Sequence, residues 1–432
     1  MKCVKKAQCP LAMRMTKIRV GLLLVLAAPL VQAQQSSQTL SWEDCVALAM
    51  RKNPDLAAAS WNVEAARASY QGSFNGLLPQ VSLSNGYSNG SGFSGDNHWQ
   101  AQAKASMDVL NAGKIADIKS AAARLAQDRA NLRLASSNLR LNLRRAFTEL
   151  LFSQTSIEVS RTILERRQRN AQLVALRYDS GRESRGNMLR SRAQALQAQT
   201  DLAAALRDLR TSQKSLQRRL GSDKFSVVTV TGTLQARTPE ELPLDLQPLI
   251  EARPDITAQE AAVRSVEIGV SQARSVLWPN LSANYTRSLT GPNEFPNGRT
   301  SWSAGGQLNY PLFGGGPIAA YSAVSAAQKT LYSARENLRS LRDQAIVELE
   351  AAWADYAAAA DQARVQTALL EAARQRNEEA DIRYASGLLS YDNWEIIASD
   401  RINSERQNIS AARNAVSAQA TWEKALGKAL GE

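Results

Sequence analysis

The chain has 432 residues, a formal net charge of +12, one histidine and three cysteines. Six basic residues and no acids fall in the first 33 positions, so the remainder carries only +6, too little to argue for a nucleic-acid partner. The lone His98 excludes imidazole metal clusters and histidine-dependent triads, and no cofactor motif is present.

Residues 1–33 read as a secretory signal. Lys2, Lys5, Lys6, Arg14, Lys17 and Arg19 precede the apolar run Val20–Val31, and Val31-Gln32-Ala33 fits a small-residue cleavage site. Met13 and Met15 each also leave a complete leader. Cleavage removes Cys3 and Cys9, so Cys45 is alone and no intrachain disulfide is expected. Gln34, not cysteine, follows Ala33, which argues against an acyl anchor. Beyond residue 33 no apolar run is long enough for a transmembrane helix, so the exported chain is soluble or a transmembrane β-barrel.

The rest is one unit written twice. Asn53-Pro54-Asp55 returns as Arg253-Pro254-Asp255, Pro79 as Pro279, Trp99 as Trp302 and Gly113 as Gly316. Arg177-Tyr178-Asp179-Ser180-Gly181 returns as Arg383-Tyr384-Ala385-Ser386-Gly387, and Leu220-Gly221 as Leu426-Gly427. We divide the chain into a first repeat at 34–221, an equatorial insertion at 222–246 and a second repeat at 247–432.

Each repeat is expected to run helix, strand, strand, long helix, turn, helix. A helix is expected from about Trp42 to Asn75, closed by Gly76 and Pro79. Neither Lys114–Ser180 nor Ile318–Ser386 contains glycine or proline, and each as one helix would be roughly 100 Å long. Shorter helices follow at Asn187–Leu220 and Leu388–Leu426 after glycine-bearing turns. Such lengths imply an elongated side-by-side array. The insertion pairs a β-prone run, Phe225–Thr231, with a proline-marked linker, and is expected to lie outside the array.

The strands alternate apolar and polar residues. In His98–Val109, Trp99, Ala101, Ala103, Ala105, Met107 and Val109 alternate with polar residues; in Ser301–Leu312, Trp302, Ala304, Leu308, Tyr310 and Leu312 do so. Val81, Leu83 and Tyr87 form a third apolar row, and Leu281, Ala283, Tyr285 and Leu289 a fourth, broken by Arg287. Each strand is about ten residues, the length that crosses a bilayer at a tilt. A soluble sheet with one wet face shows the same alternation. Four matched strands in an exported chain, with Trp99 and Trp302 at equivalent ends, favour lipid outside and water inside. The lipid-facing set is Trp99, Met107, Tyr285, Trp302, Leu308 and Tyr310. Gly90–Asn97 and Gly291–Gly298 read as exposed loops.

Four strands cannot close a barrel, and open edges are not tolerated in lipid. Two chains would give eight strands with a filled interior, three would give twelve with room for water. The small polar inward residues suit three.

These features resemble the TolC-like outer-membrane efflux factors across the whole mature chain. The resemblance rests on Arg253-Pro254-Asp255, Trp278-Pro279-Asn280-Leu281-Ser282, Tyr310-Pro311-Leu312-Phe313-Gly314-Gly315-Gly316 and Arg383-Tyr384 with Gly387, in order and in duplicate. It implies a mainly α fold with a transmembrane β part: a homotrimer whose twelve-strand barrel in a Gram-negative outer membrane continues as a helical barrel through the periplasm. It further implies a passive, non-enzymatic exit duct serving a periplasmic adaptor (membrane fusion) protein and an inner-membrane pump, with a likeness to members serving RND pumps. The helix–turn–helix tips Arg177–Leu189 and Arg383–Ile396 would form the periplasmic aperture and the adaptor-docking surface. Their candidate residues are Arg177, Tyr178, Gly181, Arg182, Arg185, Arg383, Tyr384, Gly387, Asp392 and Glu395, with cross-tip salt bridges between the basic first tip and acidic second tip expected to hold the aperture shut. The chain departs from members with aspartates near the second tip, having Asn393 and Ile396, so an acidic ring there would fall to Asp392 and Glu395. Alternatives are an outer-membrane component of type I protein secretion, a periplasmic adaptor and a coiled-coil surface fibre. The adaptor reading predicts one hairpin beside a lipoyl-like domain, and the fibre sustained heptads. Neither accounts for duplicated strand pairs.

Overall fold

A computed structural model describes residues 38–89, 98–222, 226–310, 312 and 316–431. The signal segment, the Gly90–Asn97 loop, the start of the β-prone run through Phe225, and Pro311 and Phe313–Gly315 lie outside the described residues. Both repeats show the expected order. The first contains α1 (Trp42–Lys52), α2 (Pro54–Ser73), β2 (Gln80–Ser88), β3 (His98–Leu110), α3 (Ala112–Asp179) and α4 (Arg185–Leu220). The second contains α5 (Gln247–Glu251), α6 (Pro254–Ser275), β5 (Asn280–Gly291), β6 (Arg299–Asn309), α7 (Pro317–Ala385) and α8 (Tyr391–Ala425). Two short strands, β1 (Gln38–Leu40) and β4 (Val228–Val230), complete the set.

The first helix is not continuous as expected. It ends at Asn53, whose extended backbone (ψ 124°) suits the residue before proline, while Pro54 opens α2 where no N–H is needed. The Asn53 side chain caps α2 by accepting from the Leu56 N–H at 3.0 Å and donates to the Arg219 carbonyl at 2.8 Å. Arg253 occupies the same place in the second repeat. It is nearly buried and donates to Asp255 (2.6 Å) and to Glu348 on α7 (2.9 Å). Burial opposes ionisation of Asp255, but the Arg253 hydrogen bonds and charge overcome it and hold the carboxyl below its usual range. The partner in each case is a helix end closed by glycine. Gly221 has φ +71°, and a Cβ there would sit 2.1 Å from the Lys52 carbonyl oxygen; Gly427 has φ +78°, with Pro254 Cδ at 2.8 Å. The recurring Leu-Gly thus marks where the last helix of each repeat abuts the Pro-Asp corner at its start.

One neighbour order runs the length of the molecule. The sheet is β2-β3-β5-β6, antiparallel throughout. Beside it α2 packs on α3, α3 on α6 and α6 on α7; at the other end α4 packs on α3, α3 on α8 and α8 on α7. The 68 residues of α3 and 69 of α7, each roughly 100 Å, serve both halves. The described residues therefore form a strip four elements wide, with no further strand among them on the outer edge of β2 or of β6.

The largest core cluster lies where the halves meet and includes Cys45, Leu143, Phe147, Leu150, Leu216, Val228 and Val230. Burial, then the charges of Asp44 and Glu43, push the Cys45 thiol up to about 12, so it behaves as a small hydrophobe. The insertion does not stand apart from the array here. Its strand β4 pairs in parallel with β1 and is clamped by glutamines acting as peptide mimics. Gln154 on α3 bonds both the N–H and the carbonyl of Val230 (2.9 and 3.0 Å), and Gln213 on α4 donates to the Val228 carbonyl (2.9 Å). The following linker is fastened to α7, where Tyr356 donates to the Arg237 carbonyl and Trp353 to that of Glu240.

Candidate functional site: strand sheet and helical tips

Cross-strand partners share a face, so the register tests the alternation directly. Trp99 pairs with Tyr87 and Gly291, Ala103 with Leu83 and Arg287, Ala105 with Val81 and Tyr285, and Met107 with Ala283. On β6, Trp302 pairs with Arg287 and Leu308 with Leu281. Through Met107 the apolar rows therefore fall on one face, with mainly polar residues on the other; a bulge between Asp108 and Leu110 then leaves Val109 without a paired position and sets Leu110 across from Leu281. A slip before the bulge would have scattered the rows. The apolar face is open to solvent in the isolated chain: Leu83 is 82% exposed, Trp302 72% and Leu308 66%. Met107, Tyr285 and Tyr310 are also exposed, and Trp99 is half-buried against Tyr87 with ring centroids 5.3 Å apart. So large an unpartnered apolar surface, on a sheet with two edges unpaired among the described residues, requires a covering phase or partner.

At the opposite end both turns have the same form. Gly181 (φ +72°) and Gly387 (φ +79°) follow α3 and α7, and the next N–H, from Arg182 or Leu388, reaches back to the carbonyl of Arg177 or Arg383 at 2.8 Å. The two tips nonetheless differ in burial. Tyr178 is partly exposed, whereas its counterpart Tyr384 is buried and stacked on Trp394 (centroids 4.2 Å apart, planes 8° apart). Trp394 stands where the first repeat has Met188, and both enter one cluster with Val174 and Tyr391.

Polar groups tie the tips to one another. The Arg177 guanidinium lies 4.6 Å over the Tyr384 ring and donates to the Tyr384 carbonyl. The Tyr384 hydroxyl donates to Glu183 (3.0 Å), and the Trp394 indole N–H to Asp381 (2.7 Å). Burial and the bond to Glu183 push the Tyr384 hydroxyl well above the ordinary phenol range. For Glu183, burial is overcome by hydrogen bonds from Asn187, the Ser184 N–H and Tyr384 and by the Arg177 charge, which together hold the carboxyl below its usual value.

Glu395 is nearly buried and does not meet the turn arginines. Both its oxygens accept from Arg167 Nη1 at 2.9 Å, and it also accepts from Gln194 (2.8 Å) and Ser399 (2.7 Å). A carboxylate so enclosed cannot contribute to an open acidic ring. Asp392 makes the expected kind of cross-tip contact, with Arg190 at 3.6 Å, but both side chains are mostly exposed and the pair is weak. Arg182, Arg185 and Arg383 form no ion pair among the described residues. Farther along, Arg166 joins Glu405 at 3.2 Å. Sequence reading missed Arg167, Asp381 and Trp394; only the repeat offset, which sets Trp394 against Met188, carried a signal.

A duplicated strip with a membrane-type sheet at one end and paired helical turns at the other defines a subunit of the channel-forming class. Residues 46–222 and 246–432 match the outer membrane efflux protein family, and the chain belongs to that family. It is an efflux channel protein with the TolC-like fold. Solved structures share that fold at low identity. VceC of Vibrio cholerae is 18% identical, with 90% of this chain and 96% of that one covered at a TM-score of 0.76. CmeC of Campylobacter jejuni is 17% identical, with 90% and 86% covered at 0.77. MtrE of Neisseria gonorrhoeae, solved in an open state, is 18% identical, with 89% and 88% covered at 0.75. Family and fold are those of channels and not of enzymes.

Proposed function

We propose that three copies assemble in the outer membrane of a Gram-negative bacterium as a passive duct spanning into the periplasm, completing a tripartite efflux system. The observation that carries this is the four-element strip: two sheet edges unpaired among the described residues, one apolar face, and the same neighbour order in the helices. Joining β6 of one copy to β2 of the next removes every edge, and three copies give twelve strands around a polar lumen. The lipid-facing set is Trp99, Met107, Tyr285, Trp302, Leu308 and Tyr310. Energy comes from an inner-membrane pump of RND type through an adaptor that docks on the tips.

The aperture is formed by the tips, with Arg177, Tyr178, Gly181, Arg182, Arg185, Arg383, Tyr384, Gly387 and Asp392 as its residues. Contacts within a subunit, through Arg177–Tyr384–Glu183 and Arg167–Glu395, hold the α7/α8 tip against the α3/α4 tip. Arg182 and Arg185, unpaired among the described residues of one chain, are available to acids of the next subunit. Planar-bilayer recordings of Arg185→Ala and Asp392→Ala decide the tip's role: larger or more frequent openings are expected, and wild-type traces for both remove it.

A further inference from the structure

Among the paired strand residues, Arg287 is the only charged side chain on the apolar face. It lies four residues from Gly291, at the sheet end remote from the helices, directly across from Trp302 and two face positions inside the Tyr87–Trp99 pair. Aromatic side chains of this kind mark the bilayer interface. An arginine facing lipid costs about 2–4 kcal/mol at the midplane but about 0–1 near the interface. The depth of Arg287 is thus that of lipid head groups.

The surroundings are shaped for an amphiphile. Asn85 donates to the Glu294 carbonyl at 2.8 Å, drawing the β5–β6 loop back across the apolar face. Loop and sheet bound a groove of about 400 Å³ lined by Leu83, Ala101, Ala103, Leu289, Phe295 and Arg287. Phe295 projects from the loop, 82% exposed. Arg287 has no acidic partner among the described residues, Glu294 included. A guanidinium with free donors matches a phosphate, and the apolar walls match an acyl chain.

We propose that this groove binds the phosphate head group and proximal acyl chain of an anionic lipid in the outward leaflet. The proposal rests on the reading that this face meets lipid. The charge complement favours an anionic head group, and the position against the bilayer favours a lipid over a free ion.

Native mass spectrometry of the purified channel in dodecyl maltoside, titrated with phosphatidic acid, tests it. Arg287→Gln is expected to lower retained lipid at least fivefold and Arg287→Lys less. Arg299→Gln, a cation at the same sheet end on the opposite face, should match wild type, and millimolar inorganic phosphate should not displace the lipid. The subunit mass of each variant's assembly reports folding separately. Equal retention by Arg287→Gln and wild type overturns the site while leaving the membrane reading intact. Full displacement by inorganic phosphate overturns the lipid as occupant. Wild-type protein that stays dissolved without detergent removes the membrane reading itself.

Discussion

Replacing Arg167 with methionine isolates the contact that fastens α8 to α3 near the tip. The side chains of Arg167 and Glu395 are only 11% and 5% exposed, and Glu395 takes two of its hydrogen bonds from Arg167. Without the guanidinium, a nearly buried carboxylate keeps only the neutral donors Gln194 and Ser399. Removing one partner of a buried pair costs about 3–5 kcal/mol, most of it the uncompensated charge. If the pair is made in the closed tip and lost in the open one, the closed-to-open ratio drops by roughly two to nearly four orders of magnitude. Arg167→Met channels in planar bilayers should then show frequent opening, and Arg167→Met/Glu395→Leu, which removes the stranded charge, should recover most of the closure. Single-mutant traces identical to wild type in a correctly assembled protein would refute the role of this pair. A double mutant as open as the single would refute the charge argument.

Three further outcomes follow from the geometry. Ala105→Arg, near the middle of β3 on the apolar face, should cost about 2–4 kcal/mol and lower membrane-inserted yield, while Ser106→Arg on the polar face should be tolerated; equal yields contradict the facing. Gly221→Ala forces a Cβ to 2.1 Å from the Lys52 carbonyl in a left-handed backbone, so it should destabilise more than Gly427→Ala, whose nearest clash is 2.8 Å from Pro254 Cδ; thermal unfolding of the two variants ranks them. Glu183 has a folded pKa below its ordinary 4.5, so its stabilising contribution is complete above that value and fades as pH falls through the lower folded value. Protease sensitivity of the tips should therefore rise on acidification below about pH 4.5 in wild type and lose that component in Glu183→Gln.

What could be read from the sequence was what is local or periodic. Glycine and proline bound the helices, period-two alternation set the strands and their faces, and the offset between Arg177–Gly181 and Arg383–Gly387 exposed the duplication. The break at Asn53 was written in Pro54 but outweighed by the helical pattern on both sides. The docking of β4 depends on Gln154 and Gln213, whose side chains imitate a strand edge, and glutamine on a helix carries no sign of that use. The tip network was hidden for a different reason. Arg167 and Glu395 are 228 positions apart, and their contact follows from how α3 and α8 lie together, so charge at the turns pointed to Arg182 and Arg185 instead.

The claim underlying all of this is that one chain supplies a third of a closed wall. Sedimentation equilibrium of detergent-extracted protein, with the detergent density-matched, measures that directly. A single species of three chain masses is predicted; one or two chain masses, or a particle that persists unchanged without any detergent, would contradict it.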